Sequence, residues 1–433
     1  MARIVSCSAN TENFENGAPR VTFPAMGTPS RIQLEGAEES LLSPSKGPWW
    51  ETLDPRFSKQ PERFNLEGGD RVRVGATAGS DVLIRSAAAS LVGGLALPLG
   101  YGPRALKKSF DDLDFYLPMA ESGDPSRFFK EPPTGVRVRA TKANWYPRFD
   151  PDDGVCETLT FDSPFMPANP RLHRSYLKNK NNRVAHARYW RHAGDRPRPT
   201  LVAVHGFAAD LYVLNEWYFA LPWFYRMGCD VALFTLPFHG SRQGRTSPFS
   251  GHGYFAGGPS HINEAVAQSV MDFRILLRWL MEERGAPAVG VAGVSLGGFT
   301  SAILAAVEKK LAFSIPNVPV ISLPDLVDEW EPIGTTLRMG LRLTKRDMID
   351  ARRLIAVSCP LTYKALLPND RRMIVGGVGD RLAPPKHSRV LWEHWDRCAL
   401  HWFPGSHLVH LDRGQYLDAM ARFLRRVDFL PDA

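Results

Sequence analysis

The chain has 433 residues, 44% hydrophobic and 23% charged, which is the composition of an ordinary globular protein and fits one main domain with additions better than three small domains. The formal net charge of +8 is a signal found in nucleic-acid-binding proteins, but the segment Arg171–Arg198 holds nine Lys or Arg residues and one acidic residue. That segment accounts for the whole excess of positive charge, so the rest of the chain is close to neutral. We interpret it as a solvated basic surface, with contact to an anionic surface as the alternative.

The cysteines point to a reducing compartment. Five cysteines are scattered along the chain, and none lies in a C-x-x-C pair. Met1–Arg20 contains no apolar core of a signal peptide, so we expect a cytoplasmic protein. Ala87–Tyr101 carries no charge, but it is shorter than the roughly 20 residues of a membrane span and contains helix-breaking residues. We predict a buried packing segment there, with an interfacial segment as the alternative.

Residues 1–130 are predicted to form an amino-terminal extension, partly disordered or wrapped around the main domain of residues 131–433. The first 80 or so residues are rich in Gly, Pro, Ser and charge. Alternating polar and apolar residues within Val136–Phe161 predict strands, and we expect these to be the antiparallel opening strands of a sheet.

From Thr200 onward, short apolar runs alternate with amphipathic stretches. This order predicts a central, mostly parallel sheet with helices on both faces, an α/β fold. The predicted elements are the strand Leu201–Val204, the helix Tyr212–Met227, the strand Val231–Leu236, the helix Ser260–Arg284, the strand Val289–Ala292, the helix Leu296–Val307 and the strand Leu311–Ile315.

The alternation pauses after Ile315. Residues 316–368 hold helical pieces and several prolines, and we predict that they form a lid or cap inserted after the sixth strand. The sheet resumes with Met373–Val378 and Ala399–Phe403, and a helix over Asp412–Arg425 ends the fold.

A nucleophilic serine is predicted at Ser295, in the pentapeptide Gly293-Val294-Ser295-Leu296-Gly297. This G-x-S-x-G pattern follows an apolar strand and opens an Ala-rich helix, which is the strand-turn-helix setting of a nucleophile elbow. The glycines have a steric role, because the serine sits in a tight turn where side chains on either flank would clash. The backbone N–H of Leu296, at the positive end of the helix, is suited to stabilise an oxyanion.

A serine needs an acid and a histidine to become nucleophilic at neutral pH. Asp380 follows the strand at Met373, and we take it as the acid, with Asp325 and Asp328 in the predicted lid as rivals. Three histidines lie near the carboxyl terminus. We favour His407 as the base because it lies on the loop directly after the last strand, while His401 lies within that strand and His410 just before the terminal helix.

Together these motifs resemble the α/β-hydrolase superfamily over roughly residues 155–430. The set consists of His205-Gly206-Phe207, Gly293-x-Ser295-x-Gly297, Gly379-Asp380 and Gly405-Ser406-His407. With the lead-in Ala185-His186-Ala187-Arg188-Tyr189-Trp190, the pattern is also similar to the eighteenth group of α/β-hydrolase-domain proteins. Residues 1–130 match no family by inspection.

The resemblance implies a serine hydrolase acting on a carboxylic ester, with an acyl-enzyme on Ser295 and a second oxyanion donor in the Phe207 N–H. His205 is expected to organise its turn and not to act as a base. Aromatic and aliphatic residues of the predicted lid, such as Leu323 and Trp330, suit a small-molecule or lipid acyl group, although they fit a core role equally well.

Other functions stay open at this level. A thioesterase or amidase would use the same residues, and a binding protein with a retained hydrolase fold, or one that binds a lipid surface through Arg171–Arg198, would not need turnover. No phosphate-binding G-x-x-x-x-G-K-[ST] loop, zinc-finger spacing or metal-ligand cluster is visible, so we expect no cofactor, no metal and no nucleic-acid partner.

Overall fold

The computed structural model describes residues 32–36, 39–43, 47–91, 103–143, 149–194, 196–208, 211–411 and 413–430. The strands of this part of the chain are β1 (Gln33–Leu34), β2 (Phe64–Asn65), β3 (Arg139–Lys142), β4 (Gly154–Asp162), β5 (Val184–His192), β6 (Thr200–Val204), β7 (Asp230–Thr235), β8 (Val289–Val294), β9 (Ser314–Asn317), β10 (Met373–Gly377) and β11 (Ala399–Phe403).

The α-helices of the same residues are α1 (Trp49–Thr52), α2 (Gly68–Leu91), α3 (Pro103–Asp111), α4 (Leu113–Glu121), α5 (His173–Tyr176), α6 (Tyr212–Tyr218), α7 (Leu221–Arg226), α8 (His252–Phe255), α9 (Pro259–Glu282), α10 (Leu296–Val307), α11 (Leu323–Glu329), α12 (Ile333–Leu343), α13 (Met348–Leu354), α14 (Pro385–His394) and α15 (Arg413–Arg426). None of the described helices is both long enough and apolar enough to cross a membrane.

Nine of the described strands form one sheet in the order β11-β10-β9-β8-β6-β7-β5-β4-β3. The strands from β6 to β11 run parallel to one another, whereas β5 is antiparallel to β7 and begins an antiparallel run through β4 to β3. The predicted α/β fold, mostly parallel and opened by antiparallel strands, is confirmed.

Helices cover both faces of this sheet because its central strands are apolar on both sides. In β6, Val202 and Val204 join a core with α9 and α10, while Leu201 and Ala203 point the other way into a core with α7 and α15. The parallel strands all end at one edge of the sheet, and the loops that follow them carry the candidate site.

Two predicted elements differ from the structure. The helix predicted over Tyr212–Met227 is two helices, α6 and α7, because Ala220 adopts a left-handed conformation with φ 52° and Pro222 stands in the first turn of α7. The strand predicted at Leu311–Ile315 lies at Ser314–Asn317, since the regular ladder with β8 begins only at the pair Val291 and Ser314.

The insertion between β9 and β10 is helical and packs against the amino-terminal segment. The insertion follows β9, which is the sixth strand of the sheet along the chain if β4 is counted as the first and the edge strand β3 is left out. Arg352 of α13 donates to both carboxylate oxygens of Asp325 in α11 (2.9 and 2.7 Å) and to the carbonyls of Leu53 and Asp54 (2.9 and 3.0 Å). The insertion is therefore tied to the residues that precede the main domain.

The described amino-terminal segment contributes buried side chains to the hydrophobic core of the main domain. Trp50, Leu53, Phe57, Tyr116 and Phe128 are each at most 2% exposed and belong to the same core as α9 and α10. Residues 1–31, predicted as partly disordered, and most of Ala87–Tyr101 lie outside the described residues.

The basic segment Arg171–Arg198 is only partly a charged surface. Arg188 is buried in β5, 3.9 Å from Glu216, and Arg191 lies 3.1 Å from Glu157. The burial of Arg188 and the pairing of both arginines with carboxylates reduce the positive charge that the segment presents to solvent.

Candidate active site

Ser295 stands between the end of β8 and the start of α10, in the centre of the parallel sheet. Its backbone has φ 57° and ψ −113°, a conformation that residues with a side chain rarely adopt. Its N–H donates to the carbonyl of Asn317 (3.0 Å), which fixes the turn to β9. The side chain is partly exposed, so its hydroxyl is held out at the edge of the sheet by a strained turn.

Three glycines leave room for this turn. A Cβ atom at Gly297 would lie 1.9 Å from the carbonyl oxygen of Val204, and one at Gly293 would lie 2.1 Å from the carbonyl oxygen of Gly297. Gly206, on the loop after β6, faces the serine, because a Cβ there would lie 3.3 Å from the Cβ of Ser295. The loop after β6 and the elbow are thus in direct contact, as the motifs predict.

Asp380 and His407 meet on the loops after β10 and β11. Nδ1 of His407 lies 2.7 Å from Oδ2 of Asp380, and both side chains are buried. The other oxygen of Asp380 accepts the N–H groups of Leu382 (2.9 Å) and Ala383 (2.7 Å). Backbone donors therefore hold the carboxylate in place opposite the imidazole.

This pairing determines which ring nitrogen of His407 carries the proton. A carboxylate only accepts hydrogen bonds, so Nδ1 of His407 carries the proton and Nε2 keeps its lone pair. Burial is the largest single influence and disfavours the imidazolium, but the nearby carboxylates of Asp380 and Asp81 together outweigh it and raise the pKa of His407 above its ordinary value of 6.5. Within the described residues, neither Nε2 of His407 nor the hydroxyl of Ser295 has a hydrogen-bond partner, and such bonds often form only when substrate is bound.

One predicted oxyanion donor, Leu296, lies in the elbow, and the other, Phe207, lies on the loop after β6 that approaches it. Leu296 is the first residue of α10, where a backbone N–H has no acceptor within the helix. Phe207 follows Gly206, and no described residue accepts its N–H. The Phe207 ring packs edge-on against Phe255, with centroids 5.0 Å apart, which fixes the loop.

His205 lies at the base of the same loop. Its Nε2 accepts the N–H of Leu236 (3.1 Å) and its Nδ1 lies 2.8 Å from the carbonyl of Gly206. Both ring nitrogens are thus engaged with the backbone, the arrangement of a residue that organises its turn.

The rival residues are occupied elsewhere. Asp325 pairs with Arg352, and Asp328 lies 2.7 Å from Arg338. Burial lowers the pKa of His401, within β11, to about 4. His410 lies 2.5 Å from the hydroxyl of Tyr218 and 3.3 Å from the hydroxyl of Tyr416, so both of its ring nitrogens face tyrosine hydroxyls.

Sequence reasoning missed two contacts to His407. The backbone N–H of His407 donates to Oδ2 of Asp81 in α2 (2.8 Å), and its backbone carbonyl accepts from the hydroxyl of Tyr218 in α6 (2.8 Å). Neither Asp81 nor Tyr218 stands in a recognisable motif, so no local pattern could have identified them. No cluster of His, Cys, Asp and Glu suited to a metal ion occurs in the described part of the chain.

Comparison with known proteins places these features in a family. A family model for the alpha/beta hydrolase fold matches residues 199–332. An uncharacterized protein from two strains of Mycobacterium tuberculosis is 32% identical over 310 residues, which cover 68% of this chain and 68% of that protein. The acetyl xylan esterase from Paenibacillus sp. R4 superposes with a TM-score of 0.51 at 15% identity, covering 73% of this chain and 94% of the esterase, and so shares the fold.

Proposed function

Since the chain belongs to the α/β-hydrolase superfamily, we propose that it is a serine hydrolase that cleaves carboxylic esters through an acyl-enzyme on Ser295. One observation carries the proposal. The strained Ser295 elbow and the 2.7 Å pair of Asp380 and His407 occupy loops at one edge of the same sheet. A retained fold without chemistry would not require a buried carboxylate opposite an imidazole at the same sheet edge as a serine held at φ 57°.

In the proposed reaction, Nε2 of His407 takes the proton of the Ser295 hydroxyl as Oγ attacks the ester carbonyl carbon. The N–H groups of Leu296 and Phe207 stabilise the negative charge that develops on the carbonyl oxygen. The imidazolium then returns its proton to the leaving alkoxide, and the acyl group stays on Oγ. Water attacks the acyl-enzyme in the same way, with His407 taking the proton of the water and delivering it to Oγ.

We propose that the acyl group contacts the insertion of residues 316–368. The indole N–H of Trp330 donates to the carbonyl of Leu382 (3.2 Å), whose own N–H is bound by Asp380, so this part of the insertion lies beside the acid loop. An apolar acyl chain fits such surroundings. The closer resemblance to the eighteenth group of α/β-hydrolase-domain proteins is part of this proposal, and it depends on the Ala185–Trp190 lead-in, which forms part of β5.

Turnover of p-nitrophenyl esters of increasing acyl length tests the proposal. The wild-type chain should release p-nitrophenol, and Ser295→Ala should lower kcat by a factor of roughly 10⁴ or more. Ser175→Ala is the matched control, because Ser175 is an exposed serine of α5 whose hydroxyl donates to the Leu172 carbonyl. Equal turnover by wild type and Ser295→Ala would refute the assignment of the nucleophile.

A further inference from the structure

A second carboxylate, Asp81, is buried behind the candidate base. It belongs to α2, in the amino-terminal segment that lies outside the matched family model, and its side chain is fully buried. Its Oδ2 accepts hydrogen bonds from the backbone N–H of His407 (2.8 Å) and from the backbone N–H of Arg381 (3.1 Å). Arg381 directly follows Asp380, so one carboxylate joins the loop of the acid to the loop of the base.

Helix α2 holds the acid loop at further points. Arg85, one turn after Asp81, donates to the carbonyl of Arg381 (3.1 Å), so both backbone groups of Arg381 are bound by side chains of α2. The helix also packs closely on Gly379, where an added Cβ would lie 3.1 Å from the carbonyl oxygen of Val74. These contacts hold the acid loop against a helix, in addition to the bond from the Gly379 N–H to the carbonyl of Gly405 on the base loop (2.7 Å).

The charge of Asp81 also acts on the imidazole. Its Oδ1 is buried and has no hydrogen-bond partner within the described residues, so its charge is not fully compensated there. Asp81 and Asp380 both favour the imidazolium form of His407. On the other side, the groups at the His407 carbonyl are Tyr218 and His410.

We propose that Asp81 is a positioning residue for the base, which the amino-terminal segment contributes to the hydrolase site. It fixes the backbone of His407 relative to Asp380, and its negative charge stabilises the imidazolium that forms when the Ser295 proton is transferred. The inference rests on the proposed function, because it assigns a role to Asp81 only if His407 is the base.

Two variants separate the two contributions. Asp81→Ala removes the acceptor, and kcat for p-nitrophenyl acetate should fall by about 10- to 100-fold with little change in KM, because the base is no longer held in place. Asp81→Asn keeps an acceptor oxygen but removes the charge. Its acid limb in the pH profile of kcat/KM should therefore move to lower pH by about 0.5–1 pH unit. Asp70→Asn, at a partly exposed aspartate of the same helix, is the control and should match wild type.

The outcomes are distinguishable. Wild-type pH profiles and kcat in both folded Asp81 variants would overturn the inference while leaving the serine hydrolase intact. If Asp81→Ala does not fold, the pH profile of Asp81→Asn decides, since a purely structural residue would not move the acid limb. Absence of Ser295-dependent turnover in wild type would overturn the proposed function and this inference together.

Discussion

The proposed acid Asp380 determines which nitrogen of His407 carries its proton. In Asp380→Asn the amide oxygen can still accept the N–H groups of Leu382 and Ala383, which turns the NH₂ group toward Nδ1 of His407. Nδ1 must then be the acceptor, Nε2 carries the proton, and the imidazole cannot act as a base. We expect kcat to fall by roughly 10²- to 10⁴-fold with the unfolding midpoint nearly unchanged, measured by ester turnover and thermal unfolding.

The rival acid supplies the matched control. Asp325→Asn weakens a buried pair with Arg352, so the variant should lose stability and keep its kcat. The opposite result, with activity lost in Asp325→Asn and kept in Asp380→Asn, would show that Asp325 of the insertion, and not Asp380, is the acid.

The pH dependence of kcat/KM should follow the protonation of the His407 imidazole. The base must be neutral, and Asp380 raises the pKa of His407 above 6.5. As the pH falls through this raised pKa the imidazole becomes protonated, so activity should be lost with a midpoint above 6.5 in the free enzyme. A profile of kcat/KM from pH 5 to 9 measures it. An acid limb with a midpoint well below 6.5 would contradict the pairing.

Local motifs could identify the three candidate side chains, Ser295, Asp380 and His407, because each follows a strand of the parallel sheet in a short, recognisable loop. Asp81 could not be predicted in this way. It lies 326 residues before His407, and its role depends on a helix packing against two loops that the sequence does not show to be neighbours. The contact between Tyr218 and His407 could not be predicted for the same reason.

At the scale of elements, the elbow depends on the approach of α10 to β6. In Gly297→Ala the new Cβ would meet the backbone carbonyl of Val204 at 1.9 Å, and backbone cannot rotate away as a side chain can. We expect the free energy of unfolding to fall by about 3 kcal/mol or more, measured by denaturant unfolding.

Gly414→Ala provides the comparison. Gly414 lies in α15, where no atom approaches within 4 Å of an added Cβ. Alanine there should be neutral or slightly stabilising, because it favours the helical backbone. Equal stability of Gly297→Ala and wild type would show that the helix does not pack against β6 as closely as described.

Apolar runs located most strands of the sheet to within a few residues, and β11 and α10 have the predicted bounds. Strand β5 was not predicted as a strand, although its residues Ala185–Trp190 contributed to the family resemblance. The break between α6 and α7 was not predicted, because alanine at position 220 gives no signal for a left-handed conformation. A lid role for the helical insertion stays a prediction.

For the whole molecule, the amino-terminal segment supplies part of the hydrophobic core. Trp50, Phe57 and Tyr116 are at most 2% exposed, and Arg352 is bonded to the backbone of Leu53. Deleting residues 1–130 would expose the apolar surface that these side chains cover. We expect residues 131–433 alone to aggregate or to lack a cooperative unfolding transition, tested by size-exclusion chromatography and calorimetry.

A shortened chain that is monomeric and unfolds near the wild-type temperature would instead show that residues 131–433 form an independent domain. Composition alone suggested loose order for much of this segment, since its polar and Gly-rich character hides single aromatic residues that become buried. The +8 charge was easier to interpret from the sequence, although the burial of Arg188 and the pairing of Arg191 could not be foreseen.

The proposed function depends above all on Ser295 being an activated nucleophile. The most direct test is reaction of the purified full-length chain with a fluorophosphonate, followed by intact mass and peptide mapping. We expect one adduct per chain, located on Ser295, formed faster as the pH rises through the pKa of His407, and absent in Ser295→Ala. A folded wild-type protein that stays unlabelled, or an adduct on another residue, would contradict it.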